Sequence, residues 1–255
     1  MEFENEIKQF IEEHIDLIDE NYNYHELYSL FRNVLPTRCW GALTMVFDEA
    51  GIDILPYCGA ITPRFFAFNC NYSIDNIPSN IRVISERSFE KNTGLTNLTL
   101  PIGLGQIQNY AFMECKNLTQ IDIPNTLEQL GDAVFEKTGI INIDLSNTKL
   151  DEIPYRTFAF TLSLQECKLP SLVTKIGEEA FCASHIPSLY IPASVRFIGN
   201  RAFTGAKQLK EIFYEGTLEQ WNGIKKYETW CLESTLEVVH CKDGDNKHKA
   251  NRFLF

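Results

Sequence analysis

With 255 residues, 44% of them hydrophobic and 22% charged, the chain can bury a sizeable core and lacks the composition of a disordered or membrane-embedded protein. No apolar run approaches the roughly 18–20 residues of a membrane helix. The formal net charge of −11 argues against a phosphate-backbone binder, whose affinity comes from clustered Lys and Arg, and against direct binding to anionic lipid.

The first 60 residues hold most of that charge, with twelve acids against Lys8, Arg32 and Arg38, a balance of −9; residues 61–255 carry −2. The start, Met1-Glu2-Phe3-Glu4, has neither the basic residues nor the apolar run of a secretory signal. The expectation is therefore a cytoplasmic protein, with association to a surface or a virion left open. Ile7, Phe10, Ile11, Ile15 and Ile18 recur at helical spacing, with Glu12, Glu13, Asp16 and Asp19 on the opposite side. Two further helical segments are expected, about His25 to Val34, stopping before Pro36, and about Arg38 to Ala50, ended by Gly51. Residues 1–60 thus read as an acidic helical cap. It either shields an exposed core end or docks a basic partner.

From residue 61 an internal repeat governs the sequence. An aliphatic residue is followed five positions later by Phe in Ile61/Phe66, Ile84/Phe89, Ile107/Phe112, Leu130/Phe135, Ile153/Phe158, Ile176/Phe181 and Ile198/Phe203. Successive units start 23 residues apart, the last 22. A second aliphatic precedes each start from the second unit by three residues, as in Ile81, Leu104, Leu127 and Val195. After each Phe comes L-x-x-L-x-L, often closed by Pro: Leu95/Leu98/Leu100-Pro101, Leu118/Ile121/Ile123-Pro124, Leu164/Cys167/Leu169-Pro170 and Ile186/Leu189/Ile191-Pro192. The first unit is degenerate, with Tyr72, Asp75 and Ile77-Pro78 in those places. The alternation predicts a short strand, and Pro, which cannot donate to a ladder, ends it. Phe and its neighbouring Ala (Ala111, Ala180, Ala202) predict a compact turn or short helix on the opposite wall. One unit cannot close a core; stacked units bury a continuous ribbon and join their strands into a parallel sheet.

These units resemble the BspA-like (type 5) leucine-rich repeats, which read "IG-x-x-AF", then "C-x-x-L-x-x-I-x-IP", then "x-S-V-x-x-I". Ile176-Gly177-Glu178-Glu179-Ala180-Phe181, Ile191-Pro192-Ala193-Ser194-Val195 and Ala111-Phe112-Met113-Glu114-Cys115 carry the match, over about residues 61–214. Phe213-Tyr214-Glu215-Gly216-Thr217-Leu218-Glu219-Gln220-Trp221 resembles the "YxGTxxxW" segment closing many such arrays, and Val239-His240-Cys241-Lys242-Asp243-Gly244 their terminal strand. The resemblance implies an α/β repeat fold: a leucine-rich-repeat solenoid with a parallel sheet on one face and turns or short helices on the other. It also implies a surface or interaction protein of the kind found in gut bacteria, some protists and bacteriophages. The organisation read from the chain is a helical cap over 1–60, seven repeats over 61–214, and a C-terminal cap with a tail over 215–255. From Asp243 the tail is polar with an apolar end, Phe253-Leu254-Phe255, and is either flexible or docked.

No residues spell out a reaction. His14, His25, His185, His240 and His248 stand apart from any nucleophile motif. The eight cysteines form no CxxC pair and no metal-spaced cluster. The expectation is no enzyme, no cofactor and no metal. What the repeats do present is two outward positions per strand: Ile74 and Asn76, Asn97 and Thr99, Gln120 and Asp122, Asn142 and Asp144, Glu166 and Lys168, Ser188 and Tyr190, Glu211 and Phe213. Two readings stand open. The face is simply solvated, or it is a groove in which Asn97, Thr99, Gln120, Asp122, Asn142, Asp144, Glu166 and Lys168 make polar contacts and Tyr190 and Phe213 anchor a protein partner. An alternative role is structural, with self-association through the cap or tail.

Overall fold

The computed structural model describes residues 60–61, 77 and 79–247. The helical cap expected over 1–60, the Phe66 turn and strand of the first unit, and residues 248–255 lie outside them. Within the described residues the chain winds as a coil with two strand walls and one turn wall.

The first strand wall is the sheet face, which carries the strands predicted from L-x-x-L-x-L, β3 (Asn97–Thr99), β5 (Gln120–Asp122), β7 (Asn142–Asp144), β9 (Glu166–Lys168), β11 (Ser188–Ile191) and β13 (Glu211–Tyr214), followed by β15 (Val238–Cys241), expected from the family resemblance as a terminal strand. The second wall carries the two-residue strands that open each unit: β1 (Ala60–Ile61), β2 (Val83–Ile84), β4 (Gln106–Ile107), β6 (Gln129–Leu130), β8 (Glu152–Ile153), β10 (Lys175–Ile176), β12 (Phe197–Ile198) and β14 (Lys225–Lys226). Paired strands run parallel and in repeat register, for instance Tyr190↔Phe213 and Ile84↔Ile107. The exception is β16 (Gly244–Lys247), which folds back antiparallel on β15. This segment, read from the sequence as the start of a tail, is an edge strand.

The turn wall consists of turns and not helices, and the fold is mostly strand. Two residues in most turns hold a left-handed backbone, such as Arg156 (φ 52°) and Phe160 (φ 57°), or Glu179 (φ 53°) and Ala183 (φ 52°). A helix cannot run through such positions. Backbone bonds still tie turn to turn: Phe135 N donates to Thr157 O at 3.0 Å and Phe158 N to Ala180 O at 2.7 Å. Among the described residues the one helix is α1 (Leu218–Gly223), started by a capping box in which Thr217 and Gln220 exchange side-chain and backbone bonds.

Phe89, Phe112, Phe135, Phe158, Phe181 and Phe203 are fully buried and form a spine of stacked rings, centroids 5.1–5.9 Å apart. One coil further on, the Phe203 N–H donates to Trp230 O, so Cys231 stands in the Phe column. Trp230 instead closes the spine edge-on, its ring at 90° to Phe203, and packs on Trp221 of α1. The Gly of the "IG" motif has a steric cause. A Cβ on Gly177 would lie 2.7 Å from Ile153 O, and one on Gly199 would lie 2.5 Å from Glu178 N.

Candidate functional site

The ten expected partner-contact residues, Asn97 through Phe213, all stand on the outer side of the sheet face, while Ile74 and Asn76 lie outside the described residues. In β3, β5, β7 and β9 the pattern is exposed–buried–exposed, with Leu98, Ile121, Ile143 and Cys167 turned into the core. Tyr190 is 60% exposed and Phe213 half-buried. Alternation within a pleated strand is what produces this sorting.

The ten predicted residues fall into two groups. Asn97, Thr99, Gln120, Asp122, Asn142, Asp144, Glu166 and Lys168 line one open groove of about 620 Å³, together with Asn147 and Thr148. Tyr190 and Phe213 lie outside it and belong to a ladder of stacked rings, Tyr190 on Phe213 at 4.7 Å and Phe213 on His240 at 4.9 Å. Because these rings stack on one another along the solenoid, the ladder turns their edges, more than their faces, toward solvent.

Charge on this face is partly cancelled. Lys168 Nζ donates to Asp144 Oδ2 at 3.1 Å and lies 3.9 Å from Glu166, while Thr99 Oγ1 donates to Asp122 Oδ2 at 3.3 Å. The Ser146 hydroxyl and backbone N–H, with Lys168, hold the Asp144 carboxyl below the usual carboxylate range. Asp144 therefore has a structural duty as well: it builds the turn that replaces the strand-ending Pro of other units. At the far end, the bond His240 makes to Asp245, seconded by the one to Glu211, raises its imidazole above its ordinary value.

Three contributors escaped the sequence reading. His240 continues the outward column of Tyr190 and Phe213, but α1 lengthens the preceding connection and breaks the count. Asn147 and Thr148 sit in the connection after β7, outside the strand pattern.

The Cys167 thiol, buried in β9, is pushed far up by desolvation, and burial pushes Cys231 up to about 12, so neither is a ready nucleophile. Among the described residues, no group of three or more His, Cys, Asp or Glu is placed to hold a metal ion. No helix there is long and apolar enough to cross a membrane.

A family model described as BspA type leucine rich repeat region matches in six copies over residues 60–184 and 138–234. No curated protein matches the chain. Among solved structures, a leucine rich cell surface protein from Faecalibacterium prausnitzii shares 19% identity at a TM-score of 0.45, over 66% of this chain and 60% of that one. A leucine-rich repeat protein from Bacteroides ovatus shares 16% at 0.42, over 72% and 59%. A leucine rich repeat protein from T. pallidum shares 20% at 0.37, over 55% and 57%. The chain thus spans about three fifths of the length of these proteins.

Proposed function

We propose that this chain, which belongs to the BspA-type leucine-rich repeat family, is a non-enzymatic binding module that takes a protein partner on its sheet face. Repeat proteins of this kind are generally non-enzymatic and typical of interaction surfaces. The observation that carries the reading is the open groove of about 620 Å³ on the outward residues of β3, β5, β7 and β9. Its lining mixes carboxylates, amides and one lysine over an aliphatic floor, which suits a polypeptide with both backbone and side-chain groups to satisfy. The ring edges at Tyr190 and Phe213 supply a second contact region of large, rigid side chains.

The test compares capture of proteins from a cell extract by the immobilised chain and two variants. One changes Asp144, Tyr190 and Phe213 together to Asn, Ser and Ser. The other changes the turn-wall residues Lys91 and Arg201 to Ala. The sheet-face variant, checked for native melting, loses a protein that the turn-wall variant retains. The reverse pattern overturns the assignment.

A further inference from the structure

At one level of the solenoid both strand walls are interrupted. No ladder joins β5 to β7, and none joins β6 to β8, although every other neighbouring pair from β1 through β15 within each wall is bonded. The sequence explains the coincidence. The last strand aliphatic is followed by the next one four positions on in other units, as in Ile123 to Leu127 and Leu169 to Val173, but five positions on from Leu145 to Leu150. The unit also lacks the Pro after its strand and turns instead through Asp144 and Ser146.

The interruption opens the core. Ile123 and Leu130 are only partly buried, whereas their counterparts Leu100, Leu145, Ile107 and Ile153 are between 0% and 3% exposed. A groove lies on each side of this seam, the one already described over Ile121 and Ile123 and another of about 450 Å³ beside Leu130. Charge separates the two. On the second wall Glu128 pairs with Lys149 and Glu152 with Lys175. On the sheet face the single Lys168 serves both Asp144 and Glu166, and Asp122 has no cation within ion-pair distance among the described residues. The side-chain amides of Asn97, Gln120 and Asn142 hold no hydrogen bond within the described chain and are free for a ligand's backbone.

We propose that the sheet-face groove at this seam docks an extended cationic segment of a partner protein, its basic side chains on Asp122 and Asp144 and an apolar side chain over Ile123. The proposal rests on the sheet-face reading and narrows it to one level of the solenoid. The segment lies across the face and not between the strands, because Ile141 N still donates to Thr119 O at 3.1 Å and β5 and β7 remain neighbours. The groove's own carboxylates, Asp122, Asp144 and Glu166 against the one Lys168, draw such a segment in and discriminate against an acidic one.

The full chain with isotope-labelled Ile methyls is titrated with two synthetic peptides, one alternating Arg and Leu, the other alternating Glu and Leu. The Arg/Leu peptide is expected to move the Ile121, Ile123 and Ile143 methyl signals saturably, and the Glu/Leu peptide to leave them in place. Asp122→Asn with Asp144→Asn, which keeps the Oδ1 acceptor for the Ser146 turn, is expected to weaken binding at least about tenfold, the worth of a single charge-assisted bond. Equal binding of both peptides, or undiminished binding by the double variant, overturns the proposal, as does the absence of any methyl shift. Shifts confined to Ile191 and Ile212 also overturn it, while leaving a sheet-face site at the aromatic end.

Discussion

His240 Nδ1 lies 2.9 Å from Asp245 Oδ1, its antiparallel cross-strand partner, while Nε2 of the same ring lies 3.4 Å from Glu211 on the other side. Both nitrogens therefore face carboxylates, and only the imidazolium can donate to both. The folded pKa is raised above the ordinary 6.5, so this clasp is fully present below pH 6.5 and is lost as pH rises through the higher folded value. Amide exchange in β15 and β16, corrected for its intrinsic pH dependence, is expected to quicken relative to the other strands above that value. Asp245→Asn removes most of the effect. An imidazole that titrates at or below 6.5 by NMR would sink the prediction.

Gly177 is the second prediction. Its Cβ would collide with Ile153 O and the Pro154 carbonyl carbon, both 2.7 Å away, and backbone atoms cannot swing aside. Gly177→Ala is expected to cost about 1–3 kcal/mol by overpacking. Gly223, where an added methyl would meet nothing within 4 Å, is the control: Gly223→Ala is neutral or slightly stabilising. Thermal melts of the two variants compare them directly, and equal losses refute the steric account.

The phenylalanine spine leads to a third expectation, about where damage spreads. Phe135 is fully buried between Phe112 at 5.9 Å and Phe158 at 5.7 Å, and its coil borders the seam. Phe135→Ala should cost about 3–5 kcal/mol. In a stacked array each coil depends on its neighbours, so exchange protection should fall first in the coils of Phe112 and Phe158. Uniform loss across the array would show instead that the solenoid melts as one unit.

Much of this fold was legible because a repeat restates one physical requirement many times. Inward Leu98, Ile121 and Ile143 and outward Asn97, Gln120 and Asn142 follow from alternation alone, and the Phe column from its spacing. The site was less legible wherever a unit departs from the repeat. His240 was hidden by the helical insertion of α1, and the seam by one added residue before Leu150. The left-handed turn residues, Arg156 and Phe160 among them, are types that carry no sequence mark of positive φ, so turns and short helices could not be told apart. Ring stacking of Tyr190 on Phe213 depends on parallel register, which the pattern implies but side-chain orientation completes.

Arg156 tests whether charge on the turn wall matters to stability. Its guanidinium donates to both oxygens of Glu136, at 2.7 and 3.1 Å, and to Glu179 at 3.1 Å. The Glu136 side chain is 5% exposed and Arg156 25%; desolvation is the largest influence and opposes the charge on Arg156, but the bonds and charges of Glu136 and Tyr155 together outweigh it and raise the guanidinium pKa. Arg156→Ala leaves a buried carboxylate whose remaining cation, Lys137, stands 3.9 Å off. The full cost of breaking a buried pair is about 3–5 kcal/mol, and partial exposure reduces it here to about 2 kcal/mol. Lys149→Ala, which breaks a pair with Glu128 where both side chains are more than half exposed, should cost less than about 1 kcal/mol. Because the deficit in Arg156→Ala comes from an unpaired charge, adding Glu136→Gln should recover part of it. Denaturant melts of the single and double variants decide the point, and a double variant no more stable than Arg156→Ala would assign the loss to packing of the arginine stem instead.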